Sequence, residues 1–93
     1  MNKLQKLELM DKILRELKDL EQSQTAVLKK ISQIAADNIT LDAPLLNEKL
    51  PDLQDNIDAS VVTVTEISEA FVTYRDKFFT ENKLASQLDP TAS

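Results

Sequence analysis

Ninety-three residues with a net charge of −5 contain no glycine, histidine, cysteine or tryptophan. That length bounds one small domain. Without glycine there is no Walker or dinucleotide-binding loop and few routes to tight β-hairpins, and without histidine and cysteine there is no zinc, haem or iron–sulfur ligation, no disulfide and no Ser-His or Cys-His nucleophile pair. The composition therefore predicts a chain that is not an enzyme, with no cofactor and no metal site.

The first helix is predicted over about 3–37, with Asn2 available as its N-cap. Met10, Ile13, Leu17, Leu20, Gln24, Val27, Ile31 and Ile34 form a seam with alternating gaps of three and four, broken only by Gln24. Leu7, Leu14, Leu28 and Ala35 add a third column, interrupted at Glu21. A stripe three columns wide suits a helix with two neighbours. Glu8–Lys12 and Asp11–Arg15 have the spacing of ion pairs on a solvated outer face.

Periodicity lapses at Asp37-Asn38, and Asn38 is the expected left-handed terminus, since asparagine tolerates positive φ. A connection over 38–50 follows, with a short helical turn over Ala43–Lys49 led by Pro44. Pro51 disfavours helix at Leu50, which puts the main second start there and the second helix at about 51–86. Its end is expected near Ala85 or Leu88, closed by Pro90, with 89–93 a disordered tail after a single hairpin domain of 1–88.

The second seam runs Leu46, Leu50, Leu53, Ile57, Ser60, Val64, Ile67, Phe71, Tyr74, Phe78, with Ser60 its one polar member. Val61-Val62-Thr63-Val64-Thr65 favours strand by residue type, but strict alternation fails at Glu66, and the helical period continues on both sides. The fold class is all-α: an antiparallel hairpin of two helices, each about 35 residues and roughly 50 Å long. So long a hairpin buries only one line of contact, and apolar surface is left over. That surplus predicts a coiled-coil-like bundle of four or more helices, built with another copy (a homo-oligomer) or with another helical protein.

Three sets of side chains are candidate sites. Gln24 and Ser60 fall at one height if the chain turns near 42, and would form a register-setting polar layer; more simply, each tolerates a wet spot. Val61, Val62, Val72 and Phe79 lie beside the seam as candidate partner contacts, Phe79 being the aromatic ring outside it. Asp52, Asp55, Asp58, Glu66 and Glu69 form an acidic strip, either a docking strip for a basic partner or a solvated flank.

Residues 39–93 hold ten acids against four bases, opposite to the basic face that nucleic-acid binding requires. No uncharged stretch, Ala59–Thr65 included, approaches the ~20 residues of a membrane span. The N-terminus has no apolar run of the signal-peptide kind. These features predict a cytoplasmic or virion setting, no membrane, and a non-enzymatic assembly module. The alternative is a small acidic chaperone or inhibitor for one client.

Overall fold

The structure, a computed structural model, describes residues 1–85. It is an all-α hairpin of two long helices packed against each other, α1 (Lys3–Leu41) and α2 (Pro44–Glu81). α1 opens with a capping box. The Gln5 amide N–H donates to Asn2 Oδ1 at 2.8 Å, and the Asn2 N–H donates to Gln5 Oε1 at 2.9 Å.

The connection expected over 38–50 is only Asp42 and Ala43. Asn38 is not the left-handed residue. It stays helical, is 5% exposed, and hands the positive φ to Asp42, at 54°. The Asp42 N–H donates to the Asn38 carbonyl at 2.6 Å, a single-bond left-handed cap. Asn38 Oδ1 accepts the Ala43 N–H at 2.9 Å, and its Nδ2 donates to Asn47 Oδ1 at 2.8 Å. Asn47 Nδ2 in turn reaches Asp42 Oδ1 at 2.8 Å. This clasp makes a long connection unnecessary. Pro44 starts α2 where a missing N–H costs nothing. Pro51 lies inside the helix, not at its start.

The run Val61–Thr65 is helical. Val64 is 7% exposed, and Thr63 Oγ1 donates to the Ala59 carbonyl at 3.1 Å, so a β-branched residue there finds a local partner. α2 ends at Glu81, short of Ala85 and Leu88, because Lys83 turns left-handed at φ 53°. The Leu84 N–H donates to Phe79 O and the Lys83 N–H to Thr80 O, both at 3.1 Å, a Schellman closure that fully buries Leu84. Leu88, Pro90 and the expected tail lie outside the described residues. Lysine takes positive φ less readily than glycine. Lys83→Gly should therefore raise stability by about 0.5–1 kcal/mol in a thermal or urea melt, and no gain would mean that the closure is unstrained.

Contacts divide the chain into two compact units, which are described separately. The turn unit, Asp19–Thr65, buries Ile31, Asn38 and Val64, with Gln24, Leu28, Ala35, Leu46, Leu50, Ile57 and Ser60 half-buried. Among the described residues, the terminal unit comprises Met1–Lys18 and residues 66–85. It buries Leu7, Met10 and Leu84 among half-buried Leu14, Leu17, Phe71, Phe78 and Phe79.

Candidate helix-docking surface

Three apolar columns run along α1 and two along α2, and only two adjacent columns of a helix can face a single neighbour. In α1 the inward pair is Leu7, Leu14, Glu21, Leu28, Ala35 with Met10, Leu17, Gln24, Ile31, Asn38, every member buried or half-buried. The column Leu20, Val27, Ile34, Leu41, expected in the seam except for Leu41, stays 40–71% exposed. In α2 the inward columns are Ile57, Val64, Phe71, Phe78 and Val61, Ser68, Arg75, Asn82. Leu53, Ile67 and Tyr74, also expected in the seam, are 45%, 48% and 58% exposed. Of the predicted seam, the Met10 and Ile57 columns face inward, whereas Leu20, Val27, Ile34, Leu53, Ile67 and Tyr74 of the second column turn outward and Ile13, Leu46 and Ser60 of that column stay half-buried. In the terminal unit, Arg75 of the Val61 column reaches across to Asp11 and draws that column inward. At the turn, Asn38 points inward to hold Ala43 and Asn47 and continues the Met10 column, which the expected seam shares.

The excess column follows the Met10 column of α1 and the Ile57 column of α2 by three residues. In an antiparallel pair, equal offsets bring both excess columns to the same side. The turn unit therefore presents one face made of the exposed Leu20, Val27, Ile34 and Leu41 of α1 and Leu53 of α2, beside the half-buried Leu46 and Ser60 of the same α2 column. In the terminal unit, Ile67, Ala70, Phe71 and Tyr74 line a shallow apolar depression. The Phe71 and Tyr74 rings stack there with centroids 5.7 Å apart.

Gln24 Nε2 donates to Ser60 Oγ, which puts the two polar seam residues in direct contact. Gln24 Oε1 is buried without a hydrogen-bond partner, so this layer is only half satisfied. Turning the amide over would merely exchange which end is unpaired.

Phe79, expected as an exposed anchor, is half-buried with the Arg75 guanidinium 5.0 Å from its ring centroid. Tyr74 is the exposed ring instead. Arg75 Nε donates to Asp11 Oδ1 at 2.9 Å and Nη1 to Asp76 Oδ1 at 3.2 Å. Asp11 is thus drawn across to α2, not along α1 to Arg15. The bond to Asp11, the largest influence, raises the guanidinium pKa, with desolvation opposing it. A raised basic pKa contributes stability that is complete below the ordinary arginine value and lost only as pH climbs through the raised one, so the contribution is constant near neutrality.

Val61 is half-buried, while Val62 and Val72 are 57% and 44% exposed. Asp52, Asp55 and Asp58 in the turn unit, and Glu66 and Glu69 in the terminal unit, are all exposed. They occupy the columns of α2 opposite its excess apolar column. Among the described residues none of the five is in an ion pair, and no group of three or more acids is placed to hold a metal ion. No described helix is long and apolar enough to cross a membrane.

Comparisons with protein-family models, curated proteins and solved structures find no match. The surface chemistry must then speak for function.

Proposed function

We propose that the chain is a non-enzymatic assembly module, an α-hairpin that oligomerises or bridges subunits of a larger complex by laying its spare apolar columns against other helices. The observation that carries this reading is the face of Leu20, Val27, Ile34, Leu41 and Leu53, each 40–71% exposed and aligned at helical spacing. Scattered apolar side chains are ordinary on protein surfaces; an aligned run on two adjacent helices is a contact surface awaiting a partner. A four-helix arrangement covers such a face by the same packing that joins α1 to α2.

The decisive variant is Ile34→Lys. Ile34 is 46% exposed, so lysine can reach solvent without disturbing the hairpin. The expected result is unchanged helical circular dichroism with loss of association, whether read as solution mass or as binding to another helical protein. Association at full strength with the lysine in place would remove this face from the function.

A second reading, the small acidic chaperone or inhibitor, is favoured by the exposed and unpaired Asp52, Asp55 and Asp58. Charges of this kind act on encounter rate and salt dependence. A one-to-one complex weakened by salt and indifferent to Ile34→Lys would support it over assembly.

A further inference from the structure

We infer that the occupant of the turn unit's apolar face is a second copy of this chain, stacked about a two-fold axis parallel to the helices so that both turns lie at the same end. The inference rests on the assembly reading and names its partner. The face spans the positions from Leu20 to Leu41, about 30 Å at the α-helical rise, and is two helices or roughly 20 Å wide. That size is comparable with the ~800 Å² per partner of an ordinary stable interface.

The residues bordering the face select the arrangement. The bordering column of α1 is Ser23, Lys30, Asp37, and that of α2 is Lys49, Asn56, Thr63; Asp37, Lys30 and Lys49 are all exposed. The contacts Gln24–Ser60 and Asn38–Asn47 fix which positions share a height, the paired residue numbers summing to about 85. Asp37 is therefore level with Lys49, Lys30 with Asn56, and Ser23 with Thr63. About a two-fold axis along the helices, α1 of one copy lies over α2 of the other at unchanged height. Asp37 then meets Lys49 of the second copy, and Lys49 meets Asp37 in return. No like charges meet along either border.

Turning the second copy end for end over the same residues would set Lys30 against its own symmetry mate. Sliding the copies to avoid this would take Leu20 or Leu41, depending on the direction, off the opposing face. The acids Asp52, Asp55 and Asp58 lie on the far side and stay out of the interface. Lys49 already sits 3.8 Å from Glu48, but that pair is mostly exposed and competes weakly.

The test uses sedimentation of the whole chain and of two charge reversals, Asp37→Lys and Lys49→Asp. The native chain should sediment as two copies or as pairs of such dimers. Either reversal alone creates two like-charge contacts per dimer and should raise the dissociation constant about tenfold, with helicity unchanged. An equimolar mixture of the two single variants should recover affinity to within about threefold, because every contact in the mixed dimer again joins opposite charges. Recovery in trans excludes repair inside one chain. Reversals without effect, or a mixture as weak as its components, would overturn this arrangement. If the native chain sediments as one copy, the second-copy inference fails. Loss of binding to another helical protein in Ile34→Lys would then leave the assembly reading standing, and no loss would end both.

Discussion

Replacing Asn38 with alanine should destabilise the hairpin by about 2–3 kcal/mol, a fall of roughly 10–20 °C in the melting temperature of a domain this size. The side chain is 5% exposed and makes two hydrogen bonds that alanine cannot, from the Ala43 N–H and to Asn47 Oδ1. Both bonds lie where the chain reverses, so their loss also frees the two-residue connection. Asn38→Asp separates the contributions. Aspartate keeps an acceptor for Ala43 but has nothing to donate to Asn47, so about half the loss should remain. If alanine costs less than about 0.5 kcal/mol in urea denaturation, the clasp does not hold the turn.

The polar layer should behave in the opposite way. Gln24→Leu alone strands the Ser60 hydroxyl, and Ser60→Leu alone strands the Gln24 amide; each should be neutral or cost up to about 1–2 kcal/mol. Together they remove a half-satisfied pair, including the unpartnered Gln24 Oε1, and should raise stability by about 1–2 kcal/mol. Strong non-additivity in the double-mutant cycle is the signature. The double variant should also lose definition of its assembly, appearing as a spread of masses, because an all-apolar seam no longer distinguishes one register from its neighbours. Additive single effects with an unaltered assembly would show that the pair specifies nothing.

Much of this architecture is legible in the spacing of the residues alone. The three-and-four rhythm through Val61–Thr65 marks helix in spite of its β-branched residues, and Asn2 announces the first cap. The rotation of the helices about their own axes is not legible in that way. With three apolar columns on α1, periodicity alone cannot say which two face α2. Asn38 pins only the Met10 column, through partners five and nine residues away, and it is Arg75 reaching Asp11 that draws the Val61 column of α2 inward. Proline misleads for a related reason. Pro51 marks a boundary when local preference decides, but here the clasp and the packing of Leu46 and Leu50 carry the helix through it. Phe79 and Tyr74 exchange roles because Arg75 turns inward to Asp11 and covers Phe79, a long-range ion pair where local spacing assigns Asp11 to Arg15.

That proline has its own effect on how the molecule breathes. An imide nitrogen at position 51 cannot donate, so the carbonyl of Asn47, four residues back, has no amide rung of the helical ladder to receive. The defect sits immediately after the polar clasp, beside residues that are only half shielded. Amide deuterium uptake should therefore begin in α2 around 47–54 and spread towards Ile57 only later, making this stretch the hinge through which the hairpin first unzips.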